Sequence, residues 1–410
     1  YHEAISYFTK SLSKNGDTKF AESAYFWRAE SYSLLYNWEK AKNDYAEVFR
    51  TGNQNSKYYR KGRYGIAYTY FNTTTKDESN YDKALEHFEY YVTSVKVGSK
   101  DRYEDDALLR LADCLYRKKR YQEAITHYEK AIAKRSKSSS YAYFQMGNIY
   151  GVIEKYNKST ENYDIVISQF EASVYVEDAM YNKAKNFYSI GQYERSIPYY
   201  DAYLEQYEDK GTSRVPVVHL ERAVAFLNIK KYNRALEDFD DVLYNYCTDT
   251  VHSSQALKGT QESLSLLKRS GEYDKRLEQY FKCGGKGEER LTYEAARSNY
   301  RNNEYELSIK GFERFLSKYP ESVFVYDVNY YLGMSYFEYG NLKETNEYLT
   351  KTKEYLYRVK NSDQKFHFEE ALIVLSGVYL EEEDWEKADE INILLLEITN
   401  SESKKQLILL

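Results

Sequence analysis

Three cysteines, Cys114, Cys247 and Cys283, and six histidines, His2, His87, His127, His219, His252 and His367, are the residues of this chain best suited to hold a metal or act as nucleophiles. A zinc site usually takes Cys and His at close, paired spacing, so that neighbouring donors face one ion. Neither a CxxC pair nor an HExxH motif occurs, so zinc chemistry is not indicated. The wide cysteine spacing does not indicate a dense disulfide framework either, and an odd count leaves at least one thiol unpaired within the chain. Cys283 to Gly287 (CGGKG) resembles a phosphate loop only in its glycines and lysine. It lacks the preceding strand and the Ser or Thr after Lys that such a loop needs, and reads instead as a connector between helices. Asp and Glu, 64 in all, populate every exposed face, so no two stand out as an acid and base pair. These residues predict no catalysis, no cofactor and no metal, and function must rest on a binding surface.

That surface is built by repetition. An aromatic residue, two polar residues and a small residue recur as YHEA from Tyr1, WEKA from Trp38, YDKA from Tyr81, YQEA from Tyr121, YNKS from Tyr156, YERS from Tyr193 and YNRA from Tyr232. The series continues as YDKR from Tyr273, YELS from Tyr305, LKET from Leu342 and WEKA from Trp385, at spacings of 32 to 43 residues. Such a period marks stacked helical hairpins. In the segment from Ala107, Leu108, Leu111, Ala112 and Leu115 fall at i, i+3, i+4 and i+7. After a short turn, Ala124, Tyr128 and Ala131 form a second stripe of the same period, which predicts two amphipathic helices.

Helices approach closely only where the contacting side chains are small. The position of Ala112 is occupied by Ala29, Ala67, Gly147, Ala184, Ala223, Ala296, Gly333 and Ser376 in other hairpins, with Leu264 the exception. In the second helix the small residue is Ala4, Ala41, Ala84, Ala124, Ser159, Ser196, Ala235, Ser308 or Ala388, with Arg276 and Thr345 departing. These are expected to be packing positions.

On these residues the chain resembles the tetratricopeptide repeat (TPR) family. The stretch Thr292 to Pro320 carries Ala296, Tyr305, Ser308, Phe312, Phe315 and Pro320 in the family's order. The resemblance implies an all-α, right-handed superhelical solenoid of tandem helix-turn-helix hairpins over 1–410, about ten hairpins plus an N-terminal half repeat. Tyr1 begins in a second helix, so the chain is expected to be a fragment of a longer protein.

Net charge is -6, which lacks the basic footprint of a nucleic-acid binder. Mean hydropathy is -0.79, and no stretch approaches the ~20 apolar residues that span a bilayer. Tyrosine is abundant, with 49 residues against 3 prolines, in keeping with rings used as wedges between helices. Breaks are few. Asn72 to Asn80 reads as a surface insertion, Arg135 to Ser140 as a connector, and 209–216 and 283–287 as hinges; the hairpin around Arg276 is the least regular. Arg117 to Arg120 (RKKR) and Glu381 to Asp384 (EEED) occupy equivalent turns with opposite charge, which indicates a solvated turn and no shared ligand.

The resemblance also implies where a partner would lie. First helices of the family line a concave groove, which places Tyr64, Tyr68, Phe71, Leu109, Asp113, Tyr116, Phe144, Asn148, Tyr181, Lys185 and Tyr188 in it. Farther along it places Tyr293, Arg297, Tyr300, Tyr330, Met334 and Phe337 there. The partner-binding set is Tyr64, Tyr68, Tyr116, Tyr181, Tyr188, Tyr293, Tyr300 and Tyr330, because aromatic rings dominate binding hot spots. The carboxylate clamp of some family members is not expected: Asn148 and Asn182 fit it, but Phe144, Val217 and Glu221 stand where cations are needed. A non-catalytic scaffold for a protein or peptide follows, with no nucleic acid and no membrane insertion, and with oligomeric state left open. Phe312 to Ser322 (FERFLSKYPES) is similar to the phrase ending hairpins in outer-membrane assembly and Tol-Pal coordinating proteins. That likeness, with the bias towards Tyr, Asn and Lys, points to the bacterial periplasm or outer membrane, with the cytoplasm the alternative. A carbohydrate-binding helical-repeat protein is the competing reading.

Overall fold

The computed structural model describes residues 1–14, 20–51, 53–75, 77–94, 103–134, 138–364 and 366–398. Among these the chain is all helical, with 21 α-helices, three short 3-10 turns and no strand. Consecutive helices pair and the pairs stack, giving an all-α solenoid of tandem hairpins. Contacts group the chain into two compact units, Tyr1–Glu205 and Gln206–Leu410. Part of the connector 135–140, Lys76 within 72–80, and residues 399–410 of the expected solenoid lie outside the described residues.

Small residues sit where the helices meet. Ala29, Ala67, Ala112, Ala184 and Ala223 have no exposed surface, and Leu264, the exception in sequence, is equally buried. A Cβ at Gly147 would lie 2.5 Å from the Tyr163 ring, and one at Gly333 2.7 Å from Leu356, so each glycine admits a side chain of its own hairpin. Gly65 and Gly259 do the same for Tyr45 and Phe239 of the preceding hairpin. Arg276 departs from the rule through charge: its guanidinium grips Asp240 of the preceding second helix at 2.7 and 2.6 Å.

Tight turns join the two helices of a pair. Tyr36, Lys119, Glu154, Gly191, Lys230, Asn303 and Glu383, each two residues before the aromatic of the recurring phrase, have φ between 57° and 73°. In the turn at Lys119, the Arg120 N–H donates to Leu115 and the Lys119 N–H to Tyr116, closing the first helix. Lys119 and Glu383 are both exposed with φ 59°, so the opposite charges of RKKR and EEED share a backbone role and point into water.

Two local expectations need correction. LKET at Leu342 does not open a second helix: the first helix runs Val325–Lys343, Glu344 turns left-handed, and the second helix is Leu349–Lys360. Thr345 therefore caps the turn, accepting from the Glu347 N–H, and the crossing is made by Gly333 against Leu356. The 72–80 insertion is not a slack surface loop, since Thr73, Thr74 and Asn80 are buried and the Asn80 amide donates to Thr73. One pairing that the sequence did not single out joins Cys247 and Cys283 in a disulfide with Cα atoms 5.7 Å apart, and Cys114, the thiol left over by the odd count, is buried and free. Each cysteine follows the second helix of one of two successive hairpins, Tyr232–Asn245 and Tyr273–Lys282, so both emerge at the same end of the stack. In the adjoining loop Gly284 and Gly287 take positive φ, and a Cβ at Gly285 would strike Tyr280. CGGKG is a helix connector, as its lack of a preceding strand predicts.

Candidate partner-binding surface

In eight of the second helices another ring stands seven residues after the opening aromatic: Tyr45, Phe88, Tyr128, Tyr163, Tyr200, Phe239, Tyr280 and Phe312, all buried. A buried Tyr hydroxyl must be satisfied. Tyr128 donates to Asp113 at 2.6 Å, Tyr163 to Asn148 at 2.7 Å and Tyr45 to Glu30. Each acceptor directly follows the small crossing residue of its hairpin's first helix. Where Phe stands instead, at Phe88, Phe239 and Phe312, that position holds Tyr68, Val224 and Arg297, and no acceptor is needed. Asp113 and Asn148, expected in the groove, thus serve the interior first.

In the N-terminal unit the first helices Lys57–Phe71, Glu104–Arg117 and Ser139–Val152 carry a continuous aromatic and charged network. Tyr64 and Tyr68 both donate to Asp106, at 2.8 and 2.6 Å, and their rings meet edge to face at 5.1 Å. Arg110 donates to the Tyr68 hydroxyl at 3.2 Å and to Asp113 at 2.5 Å, and Tyr141 donates to Asp113 at 2.8 Å. Burial, then the Asp106 charge, pushes Tyr68 up to about 12. Burial likewise raises Asp113, against the lowering pull of Arg110 and two phenol donors. Tyr141 and Phe144 both pack on Tyr175. Within this network the hydroxyls of Tyr64, Tyr68 and Tyr141 and the charges of Asp106, Arg110 and Asp113 are each fixed by a neighbour.

The remaining predicted residues divide by exposure. Tyr64, Tyr68, Tyr116, Tyr181, Tyr188 and Tyr300 are half-buried. Tyr116 packs on Tyr121, Tyr188 on Tyr193 and Tyr200, and Tyr300 on Tyr305 and Tyr331. Tyr293 and Tyr330 are only 4% and 8% exposed. Tyr293 stacks on Phe324 with centroids 4.6 Å apart and donates to Asp327, and Tyr330 stacks on His367 at 3.9 Å. These two rings hold successive hairpins together. Leu109, Phe144 and Met334 are buried too. Sequence reasoning missed Asp106, Arg110 and Tyr141, which tie the half-buried rings together. Asp106 and Arg110 lie four residues apart on one helix, the only signal available.

Of the clamp residues, Asn182 donates to Asn148 at 3.1 Å, and the Asn148 oxygen also accepts from Tyr163. The asparagine pair joins two hairpins. Among the described residues, no helix is long and apolar enough to cross a membrane.

Tandem helical hairpins with a network-bound aromatic face define the class of an α-solenoid. Tetratricopeptide-repeat family models match residues 105–138, 181–247 and 292–322, which identifies these three stretches as tetratricopeptide repeats. Proteins of these repeats are generally scaffolds for protein interaction. Similar solved structures include a tetratricopeptide repeat protein from Parabacteroides merdae, 14% identical over 67% of this chain and 98% of that one, with a TM-score of 0.38. The C-terminal part of a repeat protein from Cytophaga hutchinsonii is 14% identical over 74% of this chain and 98% of that one, with a TM-score of 0.44. YrrB, described as a TPR protein with an unusual peptide-binding site, is 18% identical over 48% of this chain and 91% of that one, with a TM-score of 0.38. No curated protein matches the sequence.

Proposed function

We propose that the chain is a scaffold that holds a protein or peptide partner along its half-buried tyrosines, and that it works in a bacterial envelope. The observation that carries the first part is the anchoring of Tyr64 and Tyr68 on one carboxylate, Asp106, with Arg110 bonded to the second phenol. Rings held in one orientation lose little entropy when a partner covers them, which is the property of a hot spot. Arg110 is balanced by Asp106 and Asp113, so partner binding depends on ring contact more than on steering by charge. The envelope reading is supported by the Phe312 to Ser322 phrase and by the Cys247–Cys283 disulfide, since disulfides persist in oxidising compartments. Recovery of partners by the full-length protein, against a Tyr64→Ala/Tyr68→Ala variant, tests the first part: the variant should lose its partner, and equal recovery overturns the reading. Cell fractionation tests the second; a cytosolic protein with three reduced thiols contradicts it.

A further inference from the structure

The strongest unassigned chemistry lies in the C-terminal unit, where His219 on the helix Val215–Asn228 meets the helix Tyr232–Asn245 and the 3-10 turn Glu208–Lys210. The His219 side chain is 1% exposed. Its Nδ1 lies 2.9 Å from an Asp238 oxygen, and Asp238, itself 2% exposed, also takes two bonds from Arg222 at 2.9 and 2.6 Å. A carboxylate gripped by a guanidinium accepts only, so the proton of a neutral imidazole sits on Nδ1. The lone pair is then on Nε2. That atom is buried and makes no hydrogen bond, yet it stands 3.3 Å from Glu208 Oε1. Two acceptors at that distance repel each other unless a cation lies between them.

We infer that His219, Glu208 and Asp241 form a binding site for a divalent transition metal, of which zinc fits best. One donor atom from each lies within 4.8 Å of the other two; Glu208 Oε1 faces Nε2, and Asp241 Oδ2 comes within 3.9 Å of the ring at Nδ1, so its carboxylate must swing to meet an ion on Nε2. Two donors on a tetrahedral zinc stand about 3.4 Å apart, given bonds of about 2.1 Å, which the His219 and Glu208 atoms already match. Glu208 and Asp241 are 46% and 42% exposed, so they are free to close on an ion arriving from solvent, and water completes the shell. One imidazole with two carboxylates is a borderline nitrogen and oxygen set that suits zinc better than calcium or magnesium. Asp238 is the outer partner that fixes the ligating tautomer. The ion would join the turn that opens the connector 209–216 to the two helices that follow it, acting as a structural clip.

The test uses the whole chain, free of affinity tag and stripped with chelator, titrated with zinc by calorimetry and followed by thermal melting. One equivalent should bind with micromolar or tighter affinity at pH 7.5 and raise Tm. The double variant Glu208→Gln/Asp241→Asn, which alters only partly exposed side chains, should weaken binding at least tenfold and keep the Tm of the stripped wild type. His219→Gln should also lose the site, whereas His252→Ala, which removes the imidazole bonded to Asp249, should keep it. Absence of a bound equivalent in the wild type, or binding unchanged in the Glu208→Gln/Asp241→Asn variant, would overturn the assignment.

Discussion

Replacing Gly147 with leucine should cost about 1–3 kcal/mol, because even a Cβ there would meet the fully enclosed Tyr163 ring at 2.5 Å. Ala124→Leu should cost a similar amount, and unchanged melting temperatures in both would place the crossing elsewhere. The tyrosines make a second residue-scale prediction. Burial pushes Tyr163 and Tyr300 up to about 12, whereas an unfolded chain loses the same protons near pH ~10. Their contribution to stability is therefore complete below pH ~10 and is lost as pH rises through about 12. His87 acts at the acid end. Burial and the Arg63 charge lower it to about 4, so its share of stability is present above pH ~6.5 and is lost as pH falls through about 4. Melting curves across pH 3 to 12 should fall at both ends, and a flat alkaline limb would contradict the assigned burial of the phenols.

At the scale of elements, hairpin boundaries were legible because small residues and the opening aromatic repeat visibly. The turns were not. Among the described residues a left-handed residue closes the first helix in nine hairpins, yet only Gly191 and Asn303 announce it by type, since lysine or glutamate is tolerated where the side chain points into water. Exchanging Lys119 or Glu383 for glycine should stabilise the chain by up to about 1 kcal/mol, read as a raised Tm; a lowered Tm would mean that the side chain matters. LKET misled because it falls at the expected spacing, while the helix Val325–Lys343 runs into it and ends at its second residue. The disulfide was hidden by sequence distance: Cys247 and Cys283 are 36 residues apart but meet because successive second helices end side by side. Closing a loop of that length is worth about 3–4 kcal/mol on chain entropy alone. The denatured, unreduced protein should show one free thiol, Cys114, and reduction should lower Tm; three titratable thiols before reduction would contradict the bridge.

For the molecule as a whole, the family's groove rule located a face but did not say which of its rings are free to bind. Exposure is set by how far successive hairpins overlap, which a single repeat's pattern does not encode. So Tyr64, Tyr68 and Tyr116 keep part of their surface, while Tyr293 and Tyr330 are spent on stacking against Phe324 and His367. Alanine at Tyr293 should therefore lower stability by about 3–5 kcal/mol, so its loss would not be a clean test of binding. Photo-crosslinking in the native cell decides whether a protein partner lies on the aromatic face. A benzophenone side chain placed at Tyr116 of the full-length protein should trap a discrete protein partner, and the same group at the exposed Glu129 of the second helix should not. Adduct from Glu129 but not from Tyr116, or trapping at Tyr116 that survives Tyr64→Ala/Tyr68→Ala undiminished, would contradict the account.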